Sequence, residues 1–399
     1  MSQRREGGGQ VVSRALLVTL LVATVAALPV FLVGTLALQI RASLRFGTAA
    51  LGLTVAGFYL GAAVSSVPAA RAAERIGGIR VMRLCTLAVA MLLACIGAFA
   101  RSWWLLTALL AFAGVMSGSS APAQNLFLAR RIPAERQGAA FGIKQAAVPF
   151  ANLLGGVAVP AVGLTIGWRW AFGLAALLAA GAVAFMPKPA VPLAQRRGQA
   201  APGPVWLPPL AFFAAGLGLG MFAASGLTAF AVLAAAQVGF GKSAAGLLAA
   251  LGGAAAVAAR VSVGFYADRS RRDRFAVAAS MVTVGAAGFA ALAASMRVES
   301  RWLYIVGIVL ALGAGWGWNG LFNYAVVASY RDAPARATGI TQVGGRLGGV
   351  LGPFVVGLVA QQLSYSAAWL VAGVAALAAA GSMLAGGHLL NARARGRPG

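Results

Sequence analysis

Acidic residues are almost missing from this chain. Its 399 residues include 7 Asp and Glu against 32 Lys and Arg, with one His and two Cys. Only 10% of the residues are charged, whereas a water-soluble domain carries about 25%. That shortage excludes an ordinary solvated surface, so most of the surface must face lipid. Cys85 and Cys95 lie in one apolar run, with the spacing of neither a disulfide framework nor a zinc site. All seven acids (Glu6, Glu74, Glu135, Asp268, Asp273, Glu299 and Asp332) fall in loops or at helix ends, and His388 sits at the tail of the last apolar run. An intramembrane enzyme would need a cluster of such groups, so none is expected. No G-x-x-x-x-G-K-[ST] run is present, which argues against ATP drive. No cofactor or metal is expected.

What fills the chain instead is apolar: 60% hydrophobic residues and a mean hydropathy of +0.85. A membrane-crossing helix needs roughly 20 such residues. Twelve spans are predicted, at 14–38, 48–72, 79–99, 102–129, 137–164, 168–186, 206–236, 242–267, 275–296, 301–330, 336–362 and 366–389. The opening MSQRREGGGQVVSR imitates a signal peptide, but the run behind it is long enough to span and is expected to be retained. The one long connection, residues 187–205, is rich in Pro and polar residues. It divides the chain into a six-helix bundle at 1–186, a cytoplasmic linker at 187–205 and a second six-helix bundle at 206–399.

A net charge of +25 raises nucleic-acid binding, yet the basic residues fall in short clusters between spans. With the N-terminus in the cytoplasm, 22 Lys and Arg lie on the cytoplasmic side, 7 lie outside, and 3 remain within spans. This bias predicts a multi-pass protein of the bacterial inner membrane, both termini cytoplasmic, with lipid but no nucleic acid as partner.

The halves repeat each other. Span 5 reads GIKQAAVPFANLLGGVAVPAVG and span 11 reads GITQVGGRLGGVLGPFVVGLV; Gly142, Ile143 and Gln145 align with Gly339, Ile340 and Gln342. Such a repeat suggests parallel six-span units. The loop after span 2, ARAAERIGGIR from Ala70 to Arg80, corresponds to GFYADRSRR from Gly264 to Arg272 after span 8. Both resemble the G-x-x-x-D-R-x-G-R-[RK] loop of the major facilitator superfamily. The first copy has Ala70 for Gly and Glu74 for Asp; the second lacks the later Gly.

This resemblance covers nearly the whole chain. It implies an all-α membrane fold of twelve transmembrane helices in two pseudo-symmetric bundles, a monomer that transports a small-molecule substrate by alternating access. It also implies that spans 1, 4, 7 and 10 line a central cavity, bordered by spans 2, 5, 8 and 11. In the loops, Glu74, Arg75, Asp268 and Arg269 are gating candidates: charge-assisted bonds there would latch the cytoplasmic side. The alternative is that these charges only set topology.

Charged groups at membrane depth are costly and mark functional sites. At about 1.5 Å per residue, Lys144 and Arg260 lie roughly 12 Å from the nearest loop charge and Arg346 roughly 15 Å. No acid shares their depth, so the cavity is expected to be positive and the cargo anionic. Lys144 and Arg260 are expected to approach each other between spans 5 and 8, with Arg346 on the opposite seam. Against this, Lys144 and Arg260 can snorkel, and Arg260 can bond main-chain carbonyls or Asp268. Trp316, Asn319 and Asn323 share one face of span 10 and join the candidate binding residues with Gln145 and Tyr59. Gln124, Asn125, Asn152, Ser225, Thr228 and Gln342 are lesser candidates.

The basic residues of spans 8 and 11 resemble those of the oxalate/formate antiporter and monocarboxylate branches, and Lys144-Gln145 resembles the cyanate/nitroimidazole group. A small organic anion is therefore the expected cargo, with efflux of a neutral or anionic drug or metabolite as the alternative and a non-transporting sensor behind both. Lacking an acid or His in the membrane path, the chain favours anion exchange or uniport over proton coupling.

Overall fold

Lipid offers the main chain no hydrogen-bond partners, so a chain this apolar must satisfy its own N–H and C=O groups within helices. The computed structural model describes residues 2–132, 134–187, 205–269, 273–331 and 333–395, and within them all side chains except those of 2–12, 130, 134–139, 141, 265–269, 335 and 394–395. The helices are α1 (Ser2–Thr35), α2 (Ala37–Leu44), α3 (Thr48–Ile76), α4 (Gly78–Phe99), α5 (Trp103–Arg131), α6 (Ala134–Ala158), α7 (Trp168–Phe185), α8 (Leu207–Gln237), α9 (Lys242–Arg269), α10 (Arg274–Val298), α11 (Arg301–Gly317), α12 (Asn319–Ser329), α13 (Pro334–Gln362) and α14 (Tyr365–Arg395). Of the expected linker, 187–205, all but residues 187 and 205 lies outside the described residues.

Eleven described helical segments are long and apolar enough to cross a membrane. One of them, Gly142–Phe185, runs for 44 residues and holds two crossings. Its middle, Val159–Gly167, is a π-helical turn that ends on Gly167 at φ 103°. Gly97, at the far end of α4, lies beside Arg169 and Gly173 at the start of α7. At the other end, Met186 packs with Ala15, Val81 and Leu128 on the side that carries the termini. The chain therefore turns back at Gly167, and the crossings number twelve.

The repeat seen in the sequence is a repeat of packing. In each half the first span lies on the fifth (α1 on α6, α8 on α13), and the second on the fourth (α3 on α5, α9 on α11). The third lies on the fourth and sixth (α4 on α5 and α7, α10 on α11 and α14). Small residues let these backbones touch, as they do where lipid removes the hydrophobic drive for helix pairing. Gly114 of α5 abuts the Phe58 carbonyl of α3; Gly348 and Gly352 of α13 abut the carbonyls of Gly218 and Phe222 in α8.

Three seams join the halves: α3 with α13, α6 with α9, and α1 with α8. Gly34 meets Thr228, Gly52 meets Pro353, and Gly156 meets Gly246 and Ala250. The Ala49 N–H donates to Gln361 Oε1 at 2.8 Å. All of these lie toward the end opposite the termini. On the terminal side of Gln145, Arg260 and Arg346, a Cβ at Gly142, Gly264 or Gly339 would meet no neighbouring helix among the described residues. Among the described residues, the closest contacts between the halves therefore cluster toward the outer end.

Gly348→Val forces a side chain into the Gly218 backbone, and overpacking of that kind costs about 1–3 kcal/mol. A clearly lower melting temperature is expected in detergent, whereas Gly339→Val, facing open space, should melt like the parent. Equal melting of the two variants would contradict this account of the α8–α13 contact.

Candidate functional site

Arg260 is the hub of the α6–α9 seam. One Nη donates to the main-chain carbonyl of Gln145 in α6. The other donates to the Trp316 carbonyl at the end of α11, at 3.2 Å. Its Cζ lies 5.4 Å from the Trp316 ring centroid, within the range of a cation–π contact. Helical carbonyls keep a second lone pair, so these bonds break no helix. The guanidinium thereby ties the first half to two helices of the second; main-chain carbonyls are among its partners, as one reading of the sequence allowed, while the Asp268 side chain of another reading lies outside the described residues.

From Gln145 a line of amides crosses the molecule. Its Nε2 donates to Asn319 Oδ1 at 3.4 Å, which also accepts from Asn323 Nδ2 at 2.8 Å. Asn323 Oδ1 accepts from Gln342 Nε2 of α13 at 3.0 Å. Asn319 and Asn323 share a face because they stand four residues apart. The expected span 10 is one apolar run, Arg301–Ser329, whose hydrogen-bond ladder slips at Trp318; that residue keeps helical dihedrals (φ −62°, ψ −23°), and its Nε1 donates to the Gly315 carbonyl at 2.9 Å. The glycines of GAGWGWNG, residues 313–320, loosen the chain there. Trp316 is buried, its ring 5.7 Å from that of Phe31 in α1.

Lys144 turns elsewhere. Its Nζ lies 2.5 Å from Asn125 Oδ1 and 3.4 Å from the Ala121 carbonyl, both in α5 of its own half. Successive helical residues point about 100° apart, given 3.6 per turn. Since Gln145 faces α9 and α12, Lys144 does not. The expected meeting of Lys144 with Arg260 is thus replaced by separate acceptors on separate helices.

Arg346 stands on the opposite seam as expected, with Nη1 donating to the Ala63 carbonyl of α3 at 3.0 Å. Tyr59, one turn earlier in α3, packs against Gly349, where a Cβ would lie 3.1 Å from its ring.

Of the gating candidates, Glu74 and Arg75 are exposed at the end of α3, and neither has an ion-pair partner among the described residues. The side chains of Asp268 and Arg269 lie outside the described residues. An acid that the loop motif did not single out holds this region: Asp273 accepts from the Phe275 N–H at 2.8 Å and from Asn391 Nδ2 at 3.0 Å. Asn152 makes another bond between halves, to the Ala249 carbonyl at 2.9 Å. Ser225 reaches the Gly348 carbonyl at 3.4 Å within the second half. Phe31 gave no sequence signal, being one apolar residue in an apolar run. Among the described residues no group of His, Cys, Asp or Glu is placed to hold a metal ion.

The sequence matches the profile of the Major Facilitator Superfamily over residues 16–353. The chain belongs to that superfamily. It is a transporter, not an enzyme. No curated protein sequence matches it. Among solved structures, a bacterial homolog of the human lysosomal transporter Spinster, in an inward-facing and unoccupied conformation, is similar with 17% identity and a TM-score of 0.70, over 96% of this chain and 97% of that one. A mutant of the nucleoside transporter NupG has 14% identity and a TM-score of 0.73, over 93% and 99%. The D-xylose-proton symporter has 14% identity and a TM-score of 0.74, over 92% and 96%. At these identities the likeness concerns the superfamily fold.

Arg260→Lys keeps the charge but loses the fork that reaches two carbonyls. Hydrogen bonds to charged groups contribute about 1.5–3 kcal/mol each. A lower melting temperature in detergent is expected, with Arg260→Gln lower still. Melting unchanged in both variants would rule out the bridge.

Proposed function

We propose that this superfamily member carries a small organic anion across the bacterial inner membrane by alternating access, both termini in the cytoplasm and the present state open to that side. The observation that supports this reading is the character of the acceptors. Lys144, Arg260 and Arg346 bond only main-chain carbonyls and one amide oxygen among the described residues. Neutral oxygens satisfy donors but cancel no charge, so an anion entering the open cavity meets uncompensated positive potential.

The cations divide the work. Arg346 makes one hydrogen bond with an N–H fork of five donors, and it and Lys144 meet the cargo. Arg260 positions Gln145 and Trp316, while Tyr59, Asn319 and Asn323 orient the bound molecule. Glu74 and Arg75, with Asp268 and Arg269, latch the cytoplasmic side when it closes; the exposure of Glu74 and Arg75 fits the released state. The absence of a membrane-depth acid or His favours uniport or anion exchange, by a monomer.

A second reading, export of a neutral or anionic metabolite or drug, draws on the line Gln145–Asn319–Asn323–Gln342, which offers donors and acceptors to an uncharged polar molecule.

In proteoliposomes given radiolabelled small mono- and dicarboxylates, Arg346→Gln and Lys144→Gln are each expected to cut uptake by about tenfold or more, with melting unchanged. Carboxylate uptake equal to the parent in both variants would reject the anion site. Uptake of uncharged polar solutes without carboxylates would select the second reading.

A further inference from the structure

A polar cavity lies away from the central candidate site, toward the outer end. Its volume is about 320 Å³, and Leu38 and Arg41 of α2, Thr48 of α3, Leu233, Ala236 and Gln237 of α8 and its end, and Tyr365 of α14 line it. It therefore sits between the halves. Leu38, Leu233 and Ala236 form an apolar floor; the remaining four groups are polar.

Two features show that the polar groups are unspent. Arg41 uses Nε on the Phe46 carbonyl, at 3.1 Å, and neither Nη has a hydrogen-bond partner among the described residues. Tyr365 is only 4% exposed, and its hydroxyl lies beside Arg41 and within weak reach of the Thr48 side chain, short of a well-formed hydrogen bond. A buried hydroxyl with so poor a partner is destabilising, and a ligand oxygen would relieve it. No acid lines the cavity, so the Arg41 charge is unopposed there.

We propose that this cavity is a second anion site, and that it takes a small monocarboxylate. The two Nη groups of Arg41 match the two oxygens of a carboxylate side by side. Tyr365 and Thr48 donate to the same oxygens, and Gln237 closes the rim. One cation among neutral donors suits a single negative charge better than a doubly charged phosphate. The site does not rest on the identity of the central cargo. Because its walls come from both halves, an anion held there ties α2 and α3 to α8 and α14 and favours the state in which the outer end is closed.

The test is isothermal titration of the full-length protein in nanodiscs with sodium acetate, and with inorganic phosphate for comparison. Acetate binding should weaken by about tenfold or more in Arg41→Gln, and by less in Tyr365→Phe and Thr48→Val, each checked for unchanged melting. Arg346→Gln, which alters the central site, should keep an acetate site. If Arg41→Gln melts early, Tyr365→Phe together with Thr48→Val serves in its place. Binding unchanged in Arg41→Gln, loss of all acetate binding in Arg346→Gln, or no acetate binding by the folded parent each overturns the proposal. Tighter binding of phosphate than acetate overturns the carboxylate assignment. Retained acetate binding alongside unaffected uptake in Arg346→Gln would count against the central anion site and leave the outer one standing.

Discussion

Positive charge held at membrane depth without acids is the constraint on which this molecule turns. A cation in hydrocarbon must find oxygen, and here the oxygens belong to main-chain carbonyls and amides. Removing one partner of a buried ion pair costs about 3–5 kcal/mol, which would fasten two halves built to part. A carbonyl that already serves its own helix gives up a guanidinium more cheaply. Arg260 and Arg346 each cross a seam, and both do so through such carbonyls. Lys144, whose partners lie within its own half, is free of that demand and can keep its bonds while the halves move.

The packing follows the same division. Inside each half, helices meet backbone to backbone where glycines allow it, as along α8 and α13, and such contacts make stiff bodies. Between the halves the close contacts among the described residues run from the outer end to the level of Gly253 and Gly349, near the line from Gln145 to Gln342 and the two arginine bridges. Polar side chains thus stand at the edge of the opening, where water or a solute can replace each bond they make.

Much of the architecture was legible because lipid leaves the chain few choices. Spans and repeat follow from apolar runs and the basic clusters between them. The site was legible in part. Arg346, with its place opposite the α6–α9 seam, could be read from depth and topology, and Asn319 and Asn323 from their spacing. The partner of Lys144 could not, since whether it or Gln145 faces the second half depends on the rotation of α6, which a run of small and apolar residues leaves unmarked. The slip at Trp318 and the π-helical segment at Val159–Gly167 were equally hidden, because neither changes the hydropathy of its span.

That π-helical segment ends on a single backbone angle with a wide reach. As one straight helix, Gly142–Phe185 would measure about 66 Å, twice the thickness of a hydrocarbon core of about 30 Å. The reversal at Gly167 makes the first half cross an even number of times, so the chain returns to the face from which it set out. Only then does the second half enter the bilayer in the same sense as the first. A residue for which φ 103° is strained would put that parity at risk, and with an odd count the copies would stand inverted to one another. The likeness of the two bundles, spread over hundreds of residues, hangs on the arithmetic of one glycine.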